Sequence, residues 1–274
     1  MKRWVMGLCA LLLAGACLAS EPSARERVEA STLVDGTIGI TPEGKVLAYT
    51  LDRPERLQPV VREAIAKAVP QWTFQPVLLD GKPVAAKTKM HLRLVAKPQG
   101  DDNYQLSIRS AYFGDQSSSV KHVRQVPPRY PQQAIRARLG GTVYLLLRID
   151  REGKVLDAVA RQVNLDAIAS DHVLKQWREL FADVSLRAAR QWTFSPAKPD
   201  DPAVRDVTVP VAYATREFGS ARPDTYGQWE RYVPGPVEPA PWFDADKMLS
   251  GGADALPGEG IYGQPSLSLL TPLG

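Results

Sequence analysis

Apolar and polar residues alternate along several stretches of this chain, and the alternation is cleanest over residues 143–149. Val143, Leu145, Leu147 and Ile149 fall on one side and Tyr144, Leu146 and Arg148 on the other, the period-two pattern of a strand with one buried face. Arg151-Glu-Gly-Lys154 then predicts a turn in which Gly153 takes a positive φ, and Val155, Asp157 and Val159 resume the alternation as the second arm of a hairpin. A helix is expected over Asp171 to Trp192, with a break near Asp183. A last strand follows over Arg205–Ala214, with Val207, Val209, Val211 and Tyr213 on one face.

An earlier stretch repeats this order. Residues 32–47 line up with 141–156 around a shared Ile-x-x-Glu-Gly-Lys-Val-Leu, at an offset of 109. Ala68-Val-Pro-Gln-Trp-Thr-Phe-Gln-Pro76 lines up with Ala188-Ala-Arg-Gln-Trp-Thr-Phe-Ser-Pro196, at an offset of 120. Two matches in one order indicate an internal duplication, with about eleven extra residues between second strand and helix in the second copy. In the first copy a helix is expected over Glu55 to Val69, where Leu57, Val61, Ile65 and Val69 make one apolar stripe, and a final strand over Lys87–Ala96. Gly100-Asp-Asp-Asn103 predicts a turn into an extra strand, Tyr104–Ala111. The second copy has instead a leader, Val126-Pro-Pro-Arg-Tyr-Pro131, and a short helix from Gln132 to Leu139 ended by Gly140-Gly141. The expected fold class is α+β: two tandem units, 31–113 and 120–215, each a small antiparallel sheet with helices packed on one face.

Pro128-Arg-Tyr-Pro-Gln-Gln-Ala134, Gly141-Thr-Val143, Ile149-Asp-Arg-Glu-Gly-Lys-Val155, Ala188-Ala-Arg-Gln-Trp-Thr-Phe-Ser-Pro196 and Val209-Pro-Val-Ala-Tyr213 occur in sequence over some ninety residues. Together they resemble the C-terminal domain of the TonB energy transducers, and the first copy resembles a diverged version without the Tyr-Pro leader. The resemblance implies a periplasmic domain that binds outer-membrane transporters by adding a strand to its last strand. The partner-binding edge would then comprise Arg205, Val207, Thr208, Val209, Val211 and Tyr213. Pro210 within it has no amide to donate to a ladder. Tyr130, Pro131, Gly141, Gly153, Trp192, Phe194 and Pro196 carry the family motif in a mainly structural role. The implied function is a protein-binding module of the envelope acting in TonB-dependent transport. The alternative is a structural envelope lipoprotein that self-associates and uses the fold as a scaffold without transducing energy.

The N-terminus sets the compartment. Lys2 and Arg3 precede an apolar run from Val5 to Leu13, and the 15 uncharged residues from Val5 to Ala19 fall short of the ~20 that span a bilayer. Residues 1–20 therefore read as a cleaved export signal. Leu13-Ala-Gly-Ala-Cys17 resembles a lipobox, in which Cys17 is lipidated and begins the mature chain; ordinary cleavage after Ala16 or Ala19 is the alternative. Cys9 and Cys17 are the only cysteines, so no disulfide or thiolate site is expected in the folded part. Only about ten residues separate the signal from the first sheet, far too few to cross the periplasm at ~3.1 Å per residue. Binding rather than force transduction is therefore expected.

Charge and side-chain chemistry narrow the partners further. Loss of the signal leaves the mature chain near +2, made up of −4 on residues 216–274 and about +6 on 21–215. Basic charge alone would suit nucleic acid, but export argues against it, and membrane contact is expected only through the lipid anchor. His91, His122 and His172 are isolated, and no Gly-x-Ser-x-Gly elbow, phosphate-binding glycine loop or cysteine nucleophile is present. No enzymatic activity, cofactor or metal is expected. Trp72, Phe74, Trp192 and Phe194 read as core anchors, and Tyr130-Pro131 as a leader packed on the sheet. The tail, 216–274, holds eight prolines and nine glycines, which fit disorder, and seven aromatics, which fit a segment that wraps the sheets or docks a partner.

Overall fold

The computed structural model of the protein describes residues 29–100, 103–117, 119–214, 224–243 and 252–273. The expected export signal, 1–20, and Cys17 lie outside the described residues. The strands are β1 (Glu29–Ile40), β2 (Val46–Leu51), β3 (Val77–Leu79), β4 (Lys82–Val84), β5 (Ala86–Gly100) and β6 (Asn103–Phe113) in the first half. The second half has β7 (His122–Arg124), β8 (Gly141–Ile149), β9 (Val155–Leu165), β10 (Thr193–Phe194), β11 (Arg205–Tyr213) and β12 (Glu230–Tyr232). Among the described residues three α-helices accompany them: α1 (Pro59–Ala68), α2 (Gln132–Arg136) and α3 (Asp171–Ala189). The architecture is α+β with antiparallel sheets.

The first sheet has the order β12-β1-β5-β6, with β2 also paired to β1; the second has the order β11-β8-β9. In both, a central strand (β1 or β8) lies between its hairpin partner (β2 or β9) and the strand that follows the helix (β5 or β11). Alternation assigns the faces. Val34, Ile38, Met90 and Leu92 join Val61 and Ile65 of α1 around Trp72 and Phe74. Val143, Leu145, Leu147 and Val209 join Leu174, Phe181 and Ala188 of α3 around Trp192 and Phe194. The hairpin turns match bond for bond. Phe74 donates its amide to the Gly44 carbonyl at 2.7 Å, and Phe194 donates to the Gly153 carbonyl at 2.8 Å. Gly44 and Gly153 have φ of 80° and 87°, and a Cβ at either would collide with the carbonyl oxygen of Phe74 or Phe194.

Several element boundaries differ from the expectation. Pro59 occupies the first turn of α1, so the helix starts there and Pro54–Arg56 forms a separate 3-10 turn; Leu57 is buried nonetheless. α3 runs unbroken through Asp183, which pairs with Arg187 one turn on at 2.8 Å. The extra length of the second half enters ordered elements: β9 has 11 residues against 6 in β2, and α3 has 19 against 10 in α1. α2 stops at Arg136 because the chain reverses at Arg138, whose φ is 50°. β5 and β6, at 15 and 11 residues, form a longer hairpin than the alternation suggested.

The sheet faces turned away from the helices meet each other. Arg93 of β5 donates from Nη2 to the Tyr144 hydroxyl of β8 at 3.2 Å, and Tyr112, Tyr144, Ala253, Ala255, Leu256 and Tyr262 form a small core between the sheets. Four of those six residues come from beyond residue 250. The described parts of the tail, 224–243 and 252–273, are ordered against both sheets: β12 extends the first, and Leu267 and Leu269 enter its core, while Val233 and Ile261 enter the second. Its wrapping form is the one observed among the described residues.

Candidate functional site

The outer edge of β11 is the place to test the expected binding surface. Arg205 through Tyr213 pair in register with Ile149 through Gly141 of β8. Val207, Val209, Val211 and Tyr213 point into the α3 core, and none is available to a partner. Tyr213 shares a 2.7 Å hydrogen bond with Ser185 and stacks on Phe181 at 4.5 Å; burial pushes its phenol up to about 12. Arg205 is also buried, donating to the Ser195 carbonyl at 2.9 Å and the Asp150 carbonyl at 3.4 Å. These side chains hold the strand in place rather than present a surface.

Thr208 is where expectation and structure part. Its amide donates to the Tyr262 carbonyl at 2.7 Å and its carbonyl accepts from the Tyr262 amide at 2.9 Å. The edge is therefore not free at its centre. In an antiparallel ladder, groups alternate in direction, so Asp206, Thr208, Pro210 and Ala212 face outward while Val207 and Val209 face β8. Pro210 supplies no donor, which leaves Ala212, exposed, and Asp206 as the outward positions able to donate without displacing the tail. The opposite edge is met by an earlier part of the tail. Leu165 of β9 exchanges both backbone bonds with Val233 at 2.9 and 3.1 Å, and Glu238 donates to the Arg161 carbonyl at 2.8 Å.

The motif residues are structural. Trp192, 1% exposed, donates Nε1–H to the Val126 carbonyl at 2.7 Å, tying the leader to the core, and Phe194 packs beside it. Tyr130 donates to the Leu139 carbonyl at 2.7 Å, and burial raises its phenol to about 12. Pro131 caps α2 and Gly141 opens β8 opposite Tyr213. Pro196 follows β10 where the chain leaves the core. His122 lies 4.8 Å from the Phe194 ring, and burial lowers its pKa. A groove of about 560 Å³ separates the leader from α3, with Arg129 and Arg187 among its walls. Among the described residues no cluster of three or more His, Cys, Asp or Glu is placed to hold a metal, and no helix is long and apolar enough to cross a membrane.

Sequence reasoning missed the polar centre between the sheets. Asp254, 1% exposed, accepts from Ser110 at 2.6 Å, Asn164 at 3.2 Å, Gln162 at 3.3 Å and the Tyr232 hydroxyl. Its backbone carbonyl accepts from Arg93 Nε at 2.6 Å, and Arg93 Nη1 donates to Ser31 at 2.8 Å. Burial disfavours the Arg93 charge, but Tyr144, Asp254 and Tyr232 outweigh it and raise the pKa overall. Burial foremost, and then Asp254, keeps Tyr232 neutral well above the usual phenol range. One carboxylate thus joins β5, β6, β9 and β12. No local motif marks Asp254; only its place among small and apolar residues in Gly252-Ala-Asp-Ala-Leu256 could have hinted at burial.

Leader, hairpin, helix and edge strand define an α+β domain organised around one antiparallel sheet. Residues 126–215, about a third of the chain, match the family model for the Gram-negative bacterial TonB protein C-terminal, and this segment is a TonB C-terminal domain. Domains of this family are periplasmic and act in envelope and transport contexts. Comparison with the curated proteins and with the solved structures finds no match.

Proposed function

We propose that the chain is a periplasmic, non-enzymatic protein-binding module that engages an envelope protein, such as an outer-membrane transporter, by strand addition at β11. The observation that carries this reading is the edge itself. β11 is the last strand of the family-matched segment, and among the described residues only Tyr262 pairs with its outer side. Backbone groups at an incompletely paired edge supply affinity to an extended peptide, and neighbouring side chains supply choice. The edge residues are reassigned accordingly: Asp206, Thr208 and Ala212 are the contact positions, while Val207, Val209, Val211 and Tyr213 support them. A photo-reactive residue at Ala212, followed by crosslinking in intact cells, should capture an outer-membrane protein. Capture of nothing, with the protein exported and folded, would overturn the reading.

The first sheet supports the companion proposal that residues 31–113 are a diverged copy of 120–215. Its support is the shared strand order and the equivalent Gly44–Phe74 and Gly153–Phe194 bonds. A second function, a scaffold without strand addition, is favoured by the Asp254 centre, which fixes the two sheets to each other. For the export signal and Cys17, the proposal is lipid anchoring; incorporation of labelled palmitate that disappears in Cys17→Ala would support it, and equal labelling of both would refute it.

A further inference from the structure

We infer that residues 260–263 are a resident ligand of the β11 edge, and that the partner displacing them carries the same small–aliphatic–aromatic extended segment. This rests on the strand-addition reading. The segment has what a docked peptide needs. Tyr262 exchanges both backbone bonds with Thr208, and on the opposite side the Ile261 carbonyl accepts from the Ser117 amide at 2.7 Å. The segment is therefore a one-residue strand held between β11 and the chain that leaves β6.

Its side chains fill two unlike pockets. Ile261 enters the α3-side core of the family domain. Tyr262 is fully buried between the sheets, edge-on to Tyr112 at 5.6 Å and to His91 at 5.9 Å. Its hydroxyl donates to the Glu259 carbonyl at 2.9 Å and accepts from Gln116 Nε2 at 3.3 Å. Gly260, at φ 112°, holds a backbone conformation that a side chain would strain, and a side chain there would have to push the end of Gln116 aside, whereas Gly263 is open. Specificity follows from this shape: a small residue, then an aliphatic one, then an aromatic with a polar tip, in register with Thr208.

The pairing is also limited enough to exchange. β8 holds β11 along nine paired residues, but among the described residues the tail pairs with its outer side through one. An intramolecular ligand is favoured by its high effective concentration, so a partner in trans competes only when it reproduces the anchor or adds contacts at Ala212 and Asp206.

The test uses the full mature chain and a labelled peptide of its own sequence, Gly258–Gln264. Tyr262→Ala should bind the peptide on the order of ten-fold more tightly than wild type, because the resident competitor is lost. Tyr262→Phe should behave like wild type, and a peptide with Ala in place of the tyrosine should not bind either protein. Equal binding by wild type and Tyr262→Ala, or no binding by a folded Tyr262→Ala, overturns the inference. Amide exchange on wild type keeps the test independent of that variant's folding. The Thr208 and Tyr262 amides should exchange at least about ten-fold faster than those of Val207 and Val209, through local opening; equal protection overturns the inference. If peptide binding behaves as expected but crosslinking at Ala212 captures no envelope protein, the strand-addition function fails while the resident ligand stands. If capture at Ala212 succeeds and is unchanged in Tyr262→Ala and by excess peptide, the function stands and the resident ligand fails.

Discussion

The two sheets treat the same strand differently. In the first, β5 follows the helix and the Trp-x-Phe turn, extends to 15 residues, and is covered along its outer side by β6 from Met90 to Gly100. In the second, β11 occupies the same place beside the central strand, stops at nine residues, and among the described residues pairs only with Tyr262 on its outer side. One added hairpin arm turns an edge into an interior strand. The proposed strand addition is therefore assigned to the second sheet at this position, and the first sheet contributes the wall, through Tyr112 and His91, of the pocket that holds Tyr262.

The severest challenge to this comparison is to remove the equivalent anchors. Trp72→Ala and Trp192→Ala should each cost about 3–5 kcal/mol in urea unfolding, the second more because it also loses the bond to Val126. A large loss at one and a small loss at the other would mean that the two cores are not built alike. Asp254→Ala comes next. Stranding Arg93, Tyr232 and Asn164 between the sheets should cost about 3 kcal/mol and split one unfolding transition into two as the halves uncouple. A single unshifted transition would remove the carboxylate from the account. Gly44→Ala and Gly153→Ala should each cost about 1–2 kcal/mol from the left-handed backbone alone, with the carbonyl collision added, and by similar amounts. A large difference between them would break the equivalence of the turns.

Alkaline titration gives a gentler test of the layer between the sheets. Burial raises the Tyr262 phenol to about 12 and also raises those of Tyr112, Tyr144 and Tyr232. The folded state holds these protons more tightly than the unfolded chain does, so their contribution is full below pH ~10 and falls as pH rises beyond it. Tyr262→Phe should flatten the loss between pH ~10 and about 12; an unchanged slope would mean that its phenol does not contribute. The smallest effect is expected at Pro210→Val. Its ring is buried and the new amide would face outward, so a side chain of similar size should change stability by less than ~1.5 kcal/mol while self-association rises on concentration-dependent sedimentation. Marked destabilisation would reverse the assigned direction of the ladder.

Much of the fold was legible because it is local. Val143 to Ile149 alternate, the Glu-Gly-Lys turns require their glycines, and Trp192 and Phe194 sit where a helix must rejoin a sheet. The site was less legible. Alternation correctly put Val207, Val209 and Val211 on one face, but that face is the core, and a side-chain pattern cannot reveal which strand edge is paired. The tail was illegible for a related reason: Tyr232 and Asp254 meet in the polar centre, Tyr262 enters the apolar layer beside it and Leu269 the first core, and such scattered contacts leave no period. Its aromatics gave the hint, since buried rings are what a wrapping segment needs.

The most direct measurement places a photo-reactive residue at Ala212 on β11 and, in a separate strain, at Tyr104 on the exposed outer strand β6. After illumination of intact cells, the account predicts an outer-membrane protein crosslinked at Ala212 and none at Tyr104. Capture at Tyr104 alone would contradict it and move the binding edge to the first sheet.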